Sequence, residues 1–372
     1  MSIEPVKQKP DFEHLRKVLM RETTEGPVPL IELFADPEVM AEVTGIDFPN
    51  ERLPEIIAAG SSELSGEQIE LAIKLMDLSV EFSKAVGYDY VTTQPIMPKY
   101  KEFSLKENPK QANKLRMWEN EHRGLITNRE EFEAFPWYNV DQIDLLPLDY
   151  MAGKLLDGMK LLVMIPLSIF EDLRTLVGFE TMAIKSIEEP QLLGDILEHL
   201  TVMIEAAVEM SAAHEAVGAV FYPDDLGFYS GPFLSPGFLG KWLFPKYRRV
   251  VNACHKHGKP ILLHSCGNLE LIMDDLIECG FDAKHSFEDK IIPAEDAYKK
   301  YNDRISILGG VDVDLLSRGT TQQVRERTRQ ILEACAPGGG YCMGTGNSVT
   351  NYCKIENYYA MIDETRKWNE EH

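Results

Sequence analysis

His264 and Cys266 stand two residues apart at the end of the run Ile261-Leu262-Leu263-His264-Ser265-Cys266-Gly267-Asn268. On an extended chain, residues two apart project to the same side, so an imidazole and a thiolate can reach one ion. A second cysteine, Cys342 in Gly340-Tyr341-Cys342-Met343-Gly344, holds a similar place late in the chain and completes a set of one nitrogen and two sulfurs. That set suits zinc better than magnesium, calcium or manganese, which prefer oxygen. Three protein ligands leave a fourth position for water, substrate or a weak carboxylate, the arrangement of a catalytic zinc rather than a structural one. The alternative reading of the same residues is a buried neutral histidine beside inert core thiols.

Other chemistry-bearing residues fall at comparable places. Asp224-Asp225 follow the apolar run Gly218–Tyr222; one carboxylate can orient or protonate a substrate while the other caps the next element. Glu32 sits inside the apolar run Val28–Phe34, where an acid must be paired, hydrated or useful. It is a candidate to complete the metal shell, to pair with an arginine, or to act with Asp225 in catalysis. His285 reads as a core histidine unless it faces a pocket. Asp312, after Gly309-Gly310, reads as a turn former or a pocket acid. Gly344-Thr345-Gly346-Asn347-Ser348 is a Gly-rich strand exit and a weak anion-site signal. Cys254, Cys279 and Cys335 lie on predicted helices as core residues, and Cys353 on a loop.

The elements that must position these residues alternate. Strands are predicted at Val28–Phe34, Asp89–Thr93, Leu161–Leu167, Gly218–Tyr222, Ile261–Cys266, Asp282–Phe287, Ile305–Val311 and Gly340–Met343. Helices are predicted at Phe12–Leu19, Asp36–Thr44, Ser65–Ala85, Gly178–Ile187, Gln191–Val217, Gly237–His257 (broken or kinked at Pro245), Leu269–Cys279 (capped by Asn268), Ala294–Tyr301, Thr321–Ala336 and Glu356–Trp368. Helical crossovers between strands imply a parallel sheet. No Gly-x-Gly-x-x-Gly follows a strand, so a single α/β (β/α)8 barrel over residues 1–372, with an N-terminal helical extension, is the predicted fold. In such a barrel the C-terminal strand ends line the active site, and the candidates above fall there. Residues 96–150 interrupt the alternation. They read as an insertion, rich in aromatics (Tyr100, Phe103, Trp118, Phe132, Phe135, Trp137, Tyr138), that packs a small core of its own or forms a lid over the mouth.

Composition narrows the partners. The 372 residues carry a formal charge of -22, which argues against nucleic acid or an anionic membrane as the partner. Hydrophobic residues make up 44%, enough for a substantial core. No run reaches transmembrane length and Met1–Lys7 lacks a signal-peptide core, so a cytoplasmic location is expected. Acidic barrels of this size often pair, and a homodimer is the corresponding expectation.

Several segments together resemble the uroporphyrinogen decarboxylase-like superfamily, in its zinc- and corrinoid-dependent methyltransferase branch. They are Phe221-Tyr222-Pro223-Asp224-Asp225-Leu226-Gly227, Gly231-Pro232-Phe233-Leu234-Ser235-Pro236, Leu263-His264-Ser265-Cys266-Gly267-Asn268, Leu308-Gly309-Gly310-Val311-Asp312 and Glu356-Asn357-Tyr358. The resemblance implies a (β/α)8 barrel, a zinc site of His264, Cys266 and Cys342, and a corrinoid (cobalamin) carried by a partner protein. It makes Tyr222, Asp224, His285, Asp312 and Asn347 candidates for binding a small methylated substrate. The decarboxylases' Arg-Gln-Ala-Gly-Arg motif is absent from the sequence, which argues against porphyrinogen decarboxylation. Members that methylate a thiol such as coenzyme M carry a tighter segment after the last cysteine, with Thr-Pro before Glu-Asn. Here Met343–Ser348 and a longer path lead to Glu356. The expected role is therefore demethylation of an O-methyl donor, such as a methoxyaromatic, to load the corrinoid protein. The alternatives are methyl transfer from methylcobalamin to a thiol or to tetrahydrofolate, and a non-catalytic barrel that binds a tetrapyrrole or corrinoid protein.

Overall fold

The computed structural model describes residues 9–53, 65–98 and 124–372, and the backbone of 104–107 and 115–118. In chain order the strands are β1 (Tyr90–Thr93), β2 (Ser104–Glu107), β3 (Leu115–Trp118), β4 (Lys160–Met164), β5 (Val217–Pro223), β6 (Gly227–Phe228), β7 (Gly231–Pro232), β8 (Ile261–His264), β9 (Ala283–His285), β10 (Ser306–Leu308) and β11 (Tyr341–Cys342). Seven of them form one sheet in the order β1-β4-β5-β8-β9-β10-β11, and every pair in it is parallel. Sheet order follows chain order, so each strand's crossover returns it beside the strand before. The sheet strands bury both faces, as their continuous apolar sequences require.

The predicted first strand differs. Among the described residues, the segment around Leu30 is held to the sheet by a single parallel bridge, Leu30 opposite Met343. Ile31 N–H donates to Met343 O at 2.8 Å and Met343 N–H to Pro29 O at 2.9 Å. Proline at 27 and 29 removes two ladder donors, which keeps this segment from forming a regular strand. Its other side is closed by a side chain: Glu32 N–H donates to the Tyr90 hydroxyl at 2.7 Å. Seven strands and this segment thus complete the α/β barrel.

Predicted and observed helices agree within a few residues at Phe12–Leu19, Pro37–Thr44, Gly66–Val86, Phe179–Glu188, Pro190–Ala213, Ala294–Tyr301, Thr321–Cys335 and Ile355–Glu371. Pro245 acts as predicted. A π-helical turn, Leu239–Leu243, precedes it, and Pro245 opens the helix Phe244–His255, where its missing N–H has no partner to lose. Sequence periodicity misses Ile169–Val177 because its apolar residues continue the run of β4, and misses Val313–Arg318 because six residues barely define a period. Helix Phe12–Leu19 covers the N-terminal end of the barrel: Phe12 is buried, and Ser306 Oγ donates to Leu19 O at 2.9 Å. The open end is the C-terminal one.

Within the insertion, β2 and β3 form an antiparallel hairpin. Tyr100, Phe103 and the side chain of Trp118 lie outside the described residues. Phe132 and Trp137 meet edge to face at 5.6 Å, and Trp137 stacks at 4.5 Å on His199 of helix Pro190–Ala213. No described helix is long and apolar enough to cross a membrane.

Candidate metal centre

The centre forms where β5 and β8 end side by side. Pro223 lies opposite His264, and Asp224 N–H donates to His264 O at 2.9 Å. The loops beyond remain tied, since Leu226 N–H donates to Ser265 Oγ at 3.1 Å and Asn268 N–H to Phe228 O at 2.8 Å. Gly267 allows this close approach. Its φ is +89°, and a Cβ there would sit 2.3 Å from Gly227 O. Asn268 does not cap a helix at Leu269 as predicted. Its Oδ1 accepts from Glu270 N–H at 3.1 Å in a local turn, and the helix begins at Met273.

Asp225, His264 and Cys266 each place one donor atom within 4.8 Å of the others. His264 Nε2 is 3.4 Å from Cys266 Sγ and 3.7 Å from Asp225 Oδ1. Cys266 N–H donates to the same Asp225 oxygen at 2.7 Å, which fixes the carboxylate between the two strand ends. One oxygen, one nitrogen and one sulfur fit zinc, and three ligands leave a position open. Burial, with help from Lys284, pushes the His264 imidazole down to about 3, so it is neutral and its lone pair is available. Burial, and then the Asp225 charge, pushes the Cys266 thiol up to about 12, so a metal must displace its proton. Lys284 is buried behind this group, its pKa lowered by burial to about 8. The charges of Cys266, Asp225 and Glu288 oppose that shift.

The remaining predicted residues divide. Asn347 joins the group: its Nδ2 donates to Cys266 Sγ at 3.2 Å, while its Oδ1 accepts from Ser348 N–H at 2.9 Å. His285 stands behind His264, with 2.8 Å between their Nδ1 atoms. Cys342 is not brought into the cluster. It lies on β11, opposite Leu308 of β10 and three strands from β8, and strand tilt moves each successive strand along the barrel axis. Its thiol is fully buried, and burial pushes it well above the ordinary thiol range. Asp225, in its place, has an oxygen beside the His264 and Cys266 donor atoms. Glu32 lies outside the cluster, both oxygens bonded to Thr345. Asp224 faces away from the centre and accepts four bonds: Phe170 N–H and Glu171 N–H at 2.9 Å, Tyr247 OH at 2.8 Å and Tyr222 OH at 3.0 Å. Tyr222 OH in turn accepts from Ile169 N–H at 2.8 Å. Asp224 and Tyr222 therefore anchor helix Ile169–Val177. Asp312 caps Val313–Arg318 through Asp314 N–H at 2.7 Å. Lys284 was missed from sequence: it lies inside a predicted strand, but its neighbours Asp282, His285 and Ser286 are polar, so no apolar run sets it apart.

The uroporphyrinogen decarboxylase (URO-D) family pattern matches residues 165–368, more than half of the chain. The chain belongs to the uroporphyrinogen decarboxylase family. The matched region of this family member carries Asp225, His264, Cys266, His285 and Asn347. Among curated proteins, the chain is 26% identical over 207 residues to a methylated-thiol–coenzyme M methyltransferase of Methanosarcina mazei (55% of this chain, 53% of that protein). It is 24% identical over 201 residues to the methylcobamide:CoM methyltransferase MtaA of Methanosarcina barkeri (53% of this chain, 54% of that protein). The chain spans about half the length of the curated relatives it matches. A solved methyltransferase from Methanosarcina mazei superposes with a TM-score of 0.65 at 15% identity, covering 95% of this chain and 97% of that one, so the two share a fold.

In this family member, Glu32 gives the fold a measurable pH signature. Burial raises its carboxyl from 4.5 to about 8, against the lowering effect of the two Thr345 bonds. The folded state then holds a proton that the unfolded state has released. The stabilisation is complete below pH 4.5 and falls as pH rises to about 8. Asp224 has the same sign but is spent by about 6, and the depressed histidines act below 6.5. Between pH 6.5 and 8, the stability of wild type relative to Glu32→Gln in urea unfolding is expected to fall by about 1.4 kcal/mol per pH unit. A pH-independent difference would show that Glu32 does not hold that proton.

Proposed function

We propose that this chain is a zinc-dependent methyltransferase that moves a methyl group from a small O-methyl substrate to the cobalt of a corrinoid carried by a partner protein. The observation that carries the reading is the mixed donor set of Asp225, His264 and Cys266 at the open end of the barrel. The relatives' names support methyl transfer and a corrinoid. A site with one sulfur and one carboxylate oxygen is harder than a two-thiolate site and favours an ether oxygen over a thiol. When bound, zinc supplies Lewis acidity that polarises the methyl-bearing oxygen and makes it a better leaving group.

The chain's own residues do the rest. Asp225, His264 and Cys266 would hold the ion, and Asn347 donates to the Cys266 sulfur. Glu288 is the acid for the leaving oxygen. It is half-buried at the exit of β9, its pKa is raised by burial and by the Asp312 charge, and its own charge is felt by Cys266 and Lys284. The hairpin β6–β7 begins two residues after Asp225 and presents Phe228, half-exposed, backed by Phe233 at 4.4 Å and Phe179 at 5.4 Å. Such a wall suits the flat ring of a methoxyaromatic. The segment 96–150 is a candidate lid for the same mouth.

The names of the relatives favour a second reading, in which a thiol accepts the methyl group from methylcobalt. Zinc-loaded protein assayed with methoxyarenes and cob(I)alamin, and separately with methylcobalamin and thiols, separates the two. Methylcobalamin formation from the methoxyarene, reduced at least about tenfold in Glu288→Gln, is the expected result. Turnover with thiols alone would reverse the assignment, and no turnover in either direction would overturn it.

A further inference from the structure

The positions of hydrogens around Glu32 follow from which atoms can donate. Thr345 Oγ1 lies 2.6 Å from Asn347 O and also within bonding distance of Glu32 Oε2. A backbone carbonyl only accepts, so the single hydroxyl proton of Thr345 goes to Asn347 O. The short contact with Glu32 Oε2 then needs a proton on the carboxyl. The other oxygen, Oε1, accepts from Thr345 N–H at 2.9 Å. We propose that Glu32 is a neutral carboxylic acid and a positioning residue, which holds the loop 344–347 so that it supports both His264 and Cys266 from behind. This rests on the metal reading of Asp225, His264 and Cys266.

Two arms leave that loop. Along the first, the Thr345 carbonyl lies 2.9 Å from His285 Nε2, which must therefore carry a hydrogen. His285 is buried, and no carboxylate among the described residues bonds to it, so its other nitrogen is a bare acceptor. His264 Nδ1 must donate to it across 2.8 Å, which leaves the His264 Nε2 lone pair aimed at Cys266 and Asp225. Along the second arm, Asn347 delivers its amide to Cys266 Sγ. The loop has little freedom to do otherwise. Gly346 N–H donates to Val311 O at 2.8 Å, and a Cβ on Gly309 would lie 2.2 Å from Thr345 O and 3.0 Å from the His285 ring. The carboxyl raised to about 8 by burial agrees with the proton count.

Glutamine reproduces a neutral acid, with an amide that donates to Thr345 Oγ1 and a carbonyl that accepts from Thr345 N–H; alanine does neither. In metal-free protein at neutral pH, two-dimensional nitrogen NMR of labelled histidine is expected to show His264 as the Nδ1–H form and His285 as the Nε2–H form. Infrared difference spectra of wild type against Glu32→Gln are expected to show a protonated-carboxyl band. By chelator competition, Glu32→Ala and His285→Ala are expected to bind zinc about 10- to 100-fold more weakly, and Glu32→Gln within about threefold of wild type. Equal losses in Glu32→Gln and Glu32→Ala, an absent carboxyl band, or His264 in the Nε2–H form would each overturn the proposal. If Glu32→Ala does not fold, the glutamine variant and the spectra decide it. A wild-type chain that binds no zinc but shows both tautomers and the band would refute the metal reading and leave the hydrogen-bond chain standing.

Discussion

Cys266→Ser is expected to bind zinc at least about 100-fold more weakly than wild type and to lose roughly a thousandfold or more in methyl transfer. The argument is one of donor chemistry. A serine hydroxyl does not ionise near neutral pH, so the substitution removes the only sulfur in the cluster and replaces an anion with a neutral oxygen. The remaining pair, Asp225 and His264, is a two-ligand site of low affinity. The backbone of Cys266 bonds to Asp225 through its N–H, which serine retains, and the side chain is only partly buried. The fold should therefore survive, and circular dichroism can be read beside metal content and activity. Cys342→Ser, by contrast, should leave zinc content at the wild-type level, because Cys342 lies outside the cluster. Loss of zinc in Cys342→Ser but not in Cys266→Ser would invert this assignment.

The largest effect on stability is expected at the neighbouring carboxylate. Asp224→Ala removes the acceptor for two backbone N–H groups and two tyrosine hydroxyls, in a place closed to water. Each orphaned buried donor costs on the order of 1–3 kcal/mol. Some will find other partners as helix Ile169–Val177 relaxes, so a loss of about 4 kcal/mol is expected in urea unfolding. That is a large fraction of the roughly 5–15 kcal/mol that holds a typical domain folded. Removing the Tyr247 hydroxyl alone, in Tyr247→Phe, deletes one donor and should cost about 1 kcal/mol. A loss below about 1 kcal/mol in Asp224→Ala would mean that Asp224 is not the anchor of that helix, and would return it to the list of substrate-facing acids.

The contrast between these adjacent aspartates shows what sequence makes legible. Alternation of apolar runs with helical periods is enough to place the sheet strands and most helices, because burial on both faces forces continuous apolar strands. His264 and Cys266 are legible for the same reason: spacing of two on a strand end has one geometric consequence. Asp225 is legible as a residue of the site but not as a metal-side oxygen, since adjacent residues at a strand exit point in different directions. Which aspartate faces the centre depends on the turn after Pro223. Cys342 lies apart from Asp225, His264 and Cys266, because strand tilt shifts its strand along the barrel axis, and that shift leaves no mark in the sequence around it. Glu32 is conspicuous as an acid in an apolar run, yet its partner Thr345 is 313 residues away. Such a pairing is visible only when the barrel closes.

The most direct test of the central claim is X-ray absorption at the zinc edge of the zinc-loaded chain, with metal content measured on the same sample. The account predicts roughly one zinc per chain, with a single sulfur neighbour and the remaining neighbours nitrogen or oxygen. Two sulfur neighbours, or a folded chain that takes up no zinc, would contradict it.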